Sequence, residues 1–416
     1  MARVSEVTML FQEERFGLFV HFGIYAVGAF HEQEQWRRNV PPEVYQKYMQ
    51  AFSPLPGCTD LWARAARDAG MQYLCLTAKH HDGFCLWDTK TTDYSVLHTP
   101  CGRDLVAEAA ESCRKYGLRF ALYYSLPDWH CPFAVQGGDH ALPKQNPGDT
   151  PSWTLYKSYL RAQIRELLTG YGRIDALFWD IPAPADQYDP SVNAFVRSLQ
   201  PDILINDRGF SEGDYKTPER TVPNEPFSGR TEACQSVGAQ SWGYRAHEDY
   251  FSHAFLIRSI DRVLQKGGNY LLNVGPMADG SLPTEAEASL RAVGDWFRRT
   301  REAFFDTEFF CHPALENLPA TISRDHKTLY LHLPGDKSGI VLPQIQTMPM
   351  EVITLNDRLA PSCTMEYTPD QFHGYPTDGP LAMPKALHIY NLPVNRFPSE
   401  TLILRLRFNT PLTPHP

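Results

Sequence analysis

Apolar residues in the first three-quarters of the chain form short, nearly continuous runs that alternate with amphipathic segments. Six of these runs predict strands, at 15–22, 72–78, 118–125, 173–180, 202–207 and 269–275, and one or two more are expected within 221–244. The amphipathic segments predict helices at 59–69, 103–116, 156–168, 253–265 and 284–304. Near-continuous apolar strands separated by helices are typical of a parallel sheet covered on both faces.

Two folds accommodate this alternation: an eight-stranded barrel and an open, doubly wound sheet. No GxGxxG motif follows the first predicted strand and no P-loop motif occurs in the chain, which weighs against a nucleotide-binding open sheet. A (β/α)8 barrel carries its chemistry at the C-terminal ends of its strands, so the residues at those ends are the candidates for function.

The pattern changes at about Phe310. From there on the chain has short alternating runs, such as "TLYLHL" and "TLILRLRF", which are separated by proline, glycine and aspartate. Such runs without a helical period predict an all-β module, a sandwich. The sequence therefore predicts a catalytic barrel over 1–309 and a C-terminal β-sandwich over 310–416.

Polar residues cluster where five of the predicted strands end. These residues are His21, the stretch "KHHDGF" at 79–84, "YYSLPDW" at 123–129, Asp180, and "NDRG" at 206–209, with Glu219 following ten residues later. In a barrel all of them would meet at one mouth.

In "RIDALFWD", Asp180 directly follows the run from Ile174 to Trp179, which is apolar except for Asp175. A charged side chain at the end of so apolar a strand needs a partner or a task. Two carboxylates on neighbouring strand ends suit glycoside hydrolysis, in which a retaining enzyme holds its two carboxyl groups about 5–5.5 Å apart. A helix cap or a buried ion pair is the alternative for Asp180.

His80 and His81 are adjacent, and neither HxH nor HExxH spacing is present, so metal ligation is the less favoured interpretation. A neutral imidazole offers one donor and one acceptor, which suits the hydroxyl groups of a sugar.

Composition and charge narrow the classes of function. The chain has 416 residues, 43% of them hydrophobic, and a net charge of −9, so binding to nucleic acid or to an anionic membrane has no electrostatic support. Nine cysteines occur without a CxxC pair, which predicts mostly reduced thiols. The N-terminus "MARVSEVTML" lacks the apolar core of a signal peptide, so a cytoplasmic protein is expected as written, or a periplasmic or secreted one if a leader has been removed.

The ordered motifs "RFGLFVHFGIYAV", "LTAKHHDGFCLWDTKTTDYSV", "GRDLV", "LRFALYYSLPDW", "NDR…YKTPE", "SWGYR" and "LLNVGPMADG" resemble those of the α-L-fucosidases of glycoside hydrolase family 29. The resemblance runs from about Arg15 to Thr307. It implies an irregular (β/α)8 barrel followed by a β-sandwich. It also implies retaining, double-displacement hydrolysis of terminal α-L-fucosyl residues, with a fucosylated oligosaccharide or glycoconjugate as substrate and no metal or organic cofactor.

Carried over residue by residue, the resemblance makes Asp180 the nucleophile and Glu219 the acid/base, with Glu225 and Glu232 as alternatives to Glu219. Residues that would hold the fucose hydroxyls or the nucleophile are His21, His80, His81, Tyr123 and Arg208. Trp242 would pack on the apolar side of the sugar. The chain has "HEQEQWRRN" where the family often has "EWY", which places Glu34 on the family's acidic residue.

Two other functions stay open at this point: a retaining glycosidase for another sugar, such as an α-galactoside, and a carbohydrate-binding protein without catalysis. The presence of both candidate carboxylates weighs against the second. The linkage cleaved, the oligomeric state and the role of the C-terminal module are left open by the sequence.

Overall fold

The computed structural model describes residues 14–135, 140, 148–221, 225–311, 315, 318–343, 345, 347–366 and 385–412. Within them the chain forms two compact units. The first comprises 1–221, 228–251 and 269–291, and the second comprises 222–227, 252–268 and 292–416, as far as these ranges are described.

The first unit is built on one parallel sheet. Its strands are β1 (Phe16–Val20), β2 (Tyr73–Lys79), β3 (Arg119–Ser125), β4 (Ala176–Asp180), β5 (Leu204–Ile205), β6 (Glu232–Ser236) and β7 (Asn269–Val274). They follow the order β5-β4-β3-β2-β1-β7-β6, and every neighbouring pair is parallel. All six predicted strands are therefore confirmed, and β6 is the strand expected within 221–244.

An irregular stretch connects the two edge strands of this sheet. Residues 215–219 form isolated parallel bridges to Asn206 beyond β5 and to Thr231 and Cys234 at β6. This stretch stands where an eighth strand would close the ring, so the fold is the irregular (β/α)8-like barrel that the sequence predicted.

The helices lie between the strands. They are α1 (Tyr25–Gly28), α2 (Glu34–Arg37), α3 (Pro42–Tyr45), α4 (Cys58–Asp68), α5 (Leu105–Tyr116), α6 (Trp153–Gly170), α7 (Pro190–Leu199), α8 (His253–Gln265) and α9 (Thr284–Thr300). The five predicted helices are confirmed as α4, α5, α6, α8 and α9. Gly117 ends α5 with φ 66°, the left-handed conformation that glycine adopts without strain.

Alternate strand residues fill the interior of the barrel. One buried cluster joins Phe19 of β1, Tyr123 of β3, Phe178 of β4 and Leu271 of β7. Because side chains on a strand alternate between two faces, the residue two positions beyond such an interior residue also faces inward. Asp180, two residues after Phe178, is thereby placed on the inner face at the C-terminal end of β4.

The second unit contains two antiparallel sheets. The larger has the order β12-β15-β10-β9-β8 and the smaller the order β11-β14-β13. Their strands are β8 (Thr307–Phe309), β9 (Ala320–Ser323), β10 (Thr328–Leu333), β11 (Gly339–Leu342), β12 (Glu351–Thr354), β13 (Ser362–Glu366), β14 (Ala386–Tyr390) and β15 (Leu402–Arg407). One apolar cluster takes residues from both sheets, among them Leu331 and Leu404 from the larger and Leu387 and Ile389 from the smaller. This is the core of a β-sandwich, as predicted.

The compact units do not divide the chain at the predicted boundary between 309 and 310, because α8 and the second half of α9 group with the sandwich. The division into a catalytic domain over 1–309 and a C-terminal domain over 310–416 stays a prediction. All nine cysteines are free thiols. No helix in the described part of the chain has the length and apolar character needed to cross a membrane.

Candidate active site

A pocket with an empty volume of about 470 Å³ opens at the C-terminal ends of the barrel strands. Seven of the nine predicted site residues line it, namely His21, His80, His81, Tyr123, Asp180, Glu219 and Trp242. Arg208 joins them through direct contacts with both Asp180 and Glu219. The barrel thus brings eight of the nine residues together.

Asp180 is held on both of its carboxylate oxygens. The Tyr123 hydroxyl donates to Oδ2 at 2.6 Å, and Nη1 of Arg208 donates to Oδ1 at 2.6 Å. His81 Nε2 lies 3.8 Å from Oδ2. Side chains from β3, from the segment after β2 and from the loop after β5 therefore fix the orientation of this carboxylate.

The charges around Asp180 favour its ionised form. Burial alone would raise the pKa of Asp180, but His81 and Arg208 nearby and the Tyr123 hydroxyl lower it by more, so the pKa lies below its ordinary value. Burial has the opposite effect on a histidine, because it disfavours the charged imidazolium. It lowers the pKa of His81 to about 4, so this imidazole is neutral near neutral pH. Arg208 then supplies the lasting positive charge, and Asp180 is a carboxylate over the whole physiological pH range.

Arg208 bridges the two candidate catalytic carboxylates. Its Nη1 contacts Asp180, while Nη2 lies 2.5 Å from Oε1 of Glu219 and donates to the backbone oxygen of Thr217 at 2.7 Å. The guanidinium also lies over the ring of Phe178, 5.3 Å from its centroid. Both carboxyl groups therefore lie within the span of one guanidinium.

Asp180 and Glu219 differ in exposure. The side chain of Asp180 is 13% exposed, whereas that of Glu219 is 42% exposed. The inner carboxylate is shielded from water, and the outer one lies at the mouth of the pocket, where a leaving group would depart.

Each of the two carboxylates is followed by a residue in the left-handed backbone region. Ile181 has φ 61° and Arg220 has φ 51°. A β-branched residue in this region is strained by roughly 1–3 kcal/mol and persists only where its surroundings impose it. At Ile181 the backbone N–H donates to Asp180 Oδ1 at 2.9 Å, so the unusual turn contributes to holding the carboxylate.

Burial lowers the pKa of all three histidines of the pocket, to about 4 for His21 and well below its ordinary value for His80. Neutral imidazoles can both donate and accept hydrogen bonds. His21 Nδ1 lies 2.6 Å from Asn273 Oδ1, and the Asn273 amide nitrogen donates elsewhere, so Nδ1 carries the proton and Nε2 is left as an acceptor. Nδ1 of His80 has no hydrogen-bond partner within the described structure although it is buried.

Trp242 forms a half-buried side wall of the pocket. It stacks on His21 with 5.5 Å between ring centroids, and the Arg220 guanidinium lies 4.8 Å from the centroid of the same indole. A partly exposed aromatic face within a polar pocket is suited to the apolar side of a sugar.

Glu34, the ninth predicted residue, does not line the pocket. It is the first residue of α2, and its side chain contacts Arg38 at 2.9 Å and the Tyr48 hydroxyl at 3.2 Å. Glu32 and Gln33 line the pocket instead. Glu34 lies outside the pocket lining because the helix begins at Glu34 and its side chain contacts Arg38, four residues later.

Glu32 was missed by sequence reasoning. Its Oε2 accepts hydrogen bonds from the Ser241 hydroxyl at 2.8 Å, from the backbone N–H of Trp242 at 2.9 Å and from that of Gly243 at 3.0 Å. This buried carboxylate fixes the "SWGY" segment and with it the position of the Trp242 indole. The only signal in the sequence was that "HEQEQW" contains two glutamates, Glu32 and Glu34, either of which could be the acidic residue of the pocket.

Neither of the two alternatives to Glu219 lines this pocket. Glu232 is the first residue of β6, at the N-terminal end of the barrel, where the Tyr73 hydroxyl donates to it at 2.5 Å. Glu225 is exposed and belongs to the second compact unit. The alternative assignment of Glu232 was wrong, because the strand that carries it runs from the opposite end of the barrel.

His80, His81 and Asp180 offer three potential metal-ligand atoms within 4.8 Å of one another. Arg208 and Tyr123 already bind the carboxylate of Asp180. The guanidinium places beside this carboxylate the positive charge that a metal ion would bring, so the group is better suited to the hydroxyls of a neutral ligand.

Lys79, the first residue of the predicted polar stretch 79–84, forms a buried ion pair next to the two histidines. Its Nζ is completely buried, lies 2.6 Å from Asp128 Oδ2 and lies 4.2 Å from the centroid of the Tyr124 ring. The backbone N–H of Trp129 donates to the His81 oxygen at 2.8 Å. The loops after β2 and β3 are thereby joined next to the pocket.

Comparison with known proteins adds independent findings. The family model described as Alpha-L-fucosidase matches residues 2–302. The human plasma alpha-L-fucosidase is 28% identical over 71% of this chain and 69% of its own length, and the rat tissue alpha-L-fucosidase is 27% identical over 94% and 87%. The solved structure of alpha-L-fucosidase isoenzyme 1 from Paenibacillus thiaminolyticus is 30% identical, covers 97% of this chain and 99% of that chain, and has a TM-score of 0.84.

Proposed function

The chain belongs to the α-L-fucosidase family, glycoside hydrolase family 29, and we propose that it removes terminal α-L-fucosyl residues by a retaining double displacement with Asp180 as nucleophile and Glu219 as acid/base. The observation that carries this proposal is the bridging of Asp180 and Glu219 by Arg208. Two carboxyl groups held this close are compatible with the separation of about 5–5.5 Å that retaining glycosidases use.

In the first step the ionised Asp180 attacks C1 of the fucosyl residue, and Glu219 gives its proton to the departing glycosidic oxygen. The low pKa of Asp180 keeps the attacking oxygen unprotonated. As the bond to C1 forms, negative charge leaves this carboxylate. Arg208 can then pair more fully with Glu219, which becomes a carboxylate when it has given up its proton.

In the second step Glu219 takes a proton from water, which attacks C1 and releases Asp180. Both attacks invert C1, so the fucose released first is the α-anomer. The exposure of Glu219 at the pocket mouth supports this role, because both the leaving group and the incoming water pass that position.

Recognition of the fucose hydroxyls is assigned to His21, His80, His81 and Tyr123. The imidazoles of the three histidines are neutral near neutral pH. Nδ1 of His80 has no hydrogen-bond partner within the described structure, so it can bind a hydroxyl group inside the pocket. A buried polar atom without a partner costs free energy that a bound hydroxyl would recover.

The C6 methyl group distinguishes fucose from L-galactose, which has a hydroxyl group on the same carbon. Trp242 and Phe178 are among the apolar side chains that line the pocket, and they are assigned to face this methyl group. Glu32 orients the first of them through the backbone N–H of Trp242.

The test is turnover of an aryl α-L-fucoside by the purified protein, with the released anomer followed by NMR. We expect α-L-fucose to be formed first. The Asp180→Ala variant should lose activity by at least about 10³-fold, and azide should restore turnover with β-L-fucosyl azide as product. Asp88→Ala, at an exposed aspartate outside the pocket, is the matched control. First release of the β-anomer, or normal activity of Asp180→Ala, would refute the proposal.

A further inference from the structure

The side chain of Asn206 continues the pairing between β4 and β5 beyond the point where the shorter strand ends. β5 has only two residues, and its pairing with β4 stops at Leu177 and Ile205. Beyond that pair, Oδ1 of Asn206 accepts a hydrogen bond from the backbone N–H of Trp179 at 2.8 Å, and Nδ2 donates to the backbone oxygen of Trp179 at 2.8 Å. Because an amide side chain offers the same donor and acceptor as a peptide group, Asn206 takes the place of a further backbone pair.

These contacts hold the backbone directly before Asp180. Asn206 and Trp179 are both completely buried, so a backbone N–H or oxygen that lost its partner here would be costly. On the other side of β4, toward β3, the backbone N–H of Leu126 donates to the backbone oxygen of Asp180 at 3.0 Å. The backbone that carries the proposed nucleophile is therefore held from both sides.

The same amide group reaches the segment that carries Glu219. Nδ2 of Asn206 also donates to the hydroxyl oxygen of Thr217, at 3.4 Å. Thr217 is buried, lies two residues before Glu219, and accepts a hydrogen bond from Nη2 of Arg208 on its backbone oxygen at 2.7 Å. The two protons of Nδ2 thus join the strand of Asp180 to the segment of Glu219.

Asn206 is itself held in place by the segment that follows it. A Cβ atom at Gly213 would lie 1.9 Å from the backbone oxygen of Asn206, so this close approach of the two backbones requires glycine. Asn206 forms an isolated parallel bridge with Tyr215, and the backbone N–H of Asp207 donates to the Tyr215 oxygen at 2.8 Å. The amide is therefore a fixed link between the two segments.

We propose that Asn206 is a positioning residue that sets the separation of Asp180 and Glu219. Arg208 joins the two carboxylate side chains, whereas Asn206 joins the backbone segments that carry them. Asn206 is not among the described residues that line the pocket, so it acts through the backbone that it binds. The inference rests on the proposed function, because this separation matters only if the two carboxylates are the catalytic pair.

The test measures kcat/KM for two substrates that differ in their need for a proton. Departure of the sugar from a fucosylated disaccharide requires the proton of Glu219, whereas the aryl group of an activated aryl fucoside departs without one. A misplacement of about 1 Å at an active site costs on the order of 10²-fold in rate. We therefore expect Asn206→Ala to lower kcat/KM by about 10- to 100-fold for the disaccharide and by less than about 5-fold for the aryl fucoside. Thr217→Val removes the hydroxyl group but keeps the shape of the side chain, and it should cost about 2- to 5-fold for the disaccharide alone.

A double-mutant cycle with Glu219→Ala distinguishes positioning from a merely structural role. Once Glu219 has been removed, its separation from Asp180 no longer counts, so adding Asn206→Ala should cost no more for the disaccharide than it costs for the aryl fucoside. Independent effects would instead multiply. Equal losses on the two substrates, multiplying losses in the cycle, or rates unchanged from wild type would overturn the inference. If Asn206→Ala does not fold, Thr217→Val decides the matter by the same comparison of substrates.

Gln200→Ala is the matched control, because Gln200 uses the same amide chemistry at the opposite end of β4. Its Oε1 accepts from the backbone N–H of Ile174 at 2.9 Å, and its Nε2 donates to the backbone oxygen of Leu168 at 2.8 Å. The control should lower stability and leave the ratio of kcat/KM for the two substrates within about 2-fold of wild type. A shift of this ratio as large as in Asn206→Ala would also overturn the inference. If wild type hydrolyses neither substrate, the proposed function itself fails, whereas an active wild type with an unchanged Asn206→Ala variant removes this inference alone.

Discussion

At the scale of single residues, Arg208 connects the two halves of the proposed mechanism. One arm of its guanidinium binds Asp180 and the other binds Glu219, and the contact with Asp180 is shielded from water, which makes it stronger than an exposed ion pair. The nearby carboxylates raise the pKa of Arg208 despite its burial, so the charge is permanent. Lysine could not replace it, because a single ammonium group lacks the two separated donors.

Glu219→Ala tests the assignment of the acid/base. A proton donor matters most when the leaving group is a poor one, so the variant should lose on the order of 10²- to 10⁴-fold with a fucosylated disaccharide and much less with an activated aryl fucoside. Steady-state kinetics with both substrates measure the difference. Equal losses on the two would place the proton donor elsewhere.

Trp242→Ala tests the contact with the C6 methyl group. A methyl group buried on an aromatic surface contributes about 0.8 kcal/mol, and an unpaired hydroxyl in its place costs about 1–3 kcal/mol. Wild type should therefore favour fucosides over L-galactosides by roughly 10- to 100-fold in kcat/KM, and the variant should narrow this ratio. Trp153→Ala, at a half-buried tryptophan that does not line the pocket, is the control. An unchanged ratio would show that Trp242 is not this wall.

Most of the candidate site could be predicted at the residue scale. Side chains alternate between two faces along β1, β3 and β4, and this alternation predicts that His21, Tyr123 and Asp180 face the interior of the barrel. Glu34 could not be placed correctly in the same way. Its position depends on where a four-residue helix begins after a loop, and so short a helix has too little apolar period to define its first residue.

At the scale of elements, the end of β2 is anchored by the ion pair between Lys79 and Asp128, which are 0% and 1% exposed. Asp128 also accepts hydrogen bonds from the backbone N–H groups of His130 and Cys131. The pair therefore fixes the geometry of the two loops beside His80 and His81. Sequence reasoning missed it, because the partners are 49 residues apart and each looks like an ordinary charged residue.

Lys79→Met should destabilise the protein by about 3–5 kcal/mol, since it leaves Asp128 buried without a counter-charge. The exposed pair of Lys90 and Asp88 provides the contrast, and Lys90→Met should cost at most about 1 kcal/mol. Urea unfolding measures both. Similar small losses in the two variants would mean that the buried pair does not anchor the strand end.

The strands and longer helices were predictable because their apolar periods are strong, whereas α7 and the closing stretch 215–219 were not. α7 begins with Pro190 and is only ten residues long, so its apolar face extends over fewer than about three turns. Residues 215–219 form single bridges rather than a ladder, and no local pattern encodes such contacts between distant edges.

At the scale of the whole molecule, the barrel separates two groups of acidic residues. Asp180 and Glu219 lie at the C-terminal ends of the strands, and Glu14 and Glu232 lie at the N-terminal ends. Burial raises the pKa of Glu232 from 4.5 to about 7 and that of Glu14 to about 8. Asp180 is thus kept ionised at the C-terminal end of the barrel, whereas burial favours the protonated form of Glu232 at the N-terminal end.

This difference predicts how stability depends on pH. Between the unfolded pKa of 4.5 and the folded pKa of about 7, the folded protein holds the proton of Glu232 more strongly than the unfolded chain. The free energy of unfolding should therefore fall as the pH rises through this window, with Glu232 contributing about 2–3 kcal/mol. Glu232→Gln should flatten the curve, with the slope from Glu14 remaining, while exposed Glu225→Gln should leave it unchanged. A Glu232→Gln curve that parallels wild type from about pH 4 to pH 8 would contradict the assignment.

The nucleophile is the central claim, and covalent trapping tests it most directly. In 2-deoxy-2-fluoro-α-L-fucosyl fluoride the fluorine at C2 destabilises the oxocarbenium-like transition states, and the fluoride leaving group lets the first step outrun the second. Incubation with this reagent, digestion and mass spectrometry should show a single fluorofucosyl label on the peptide that contains Asp180, and no label in Asp180→Ala. Label on another carboxylate, or turnover of the reagent with release of the inverted sugar, would contradict the account.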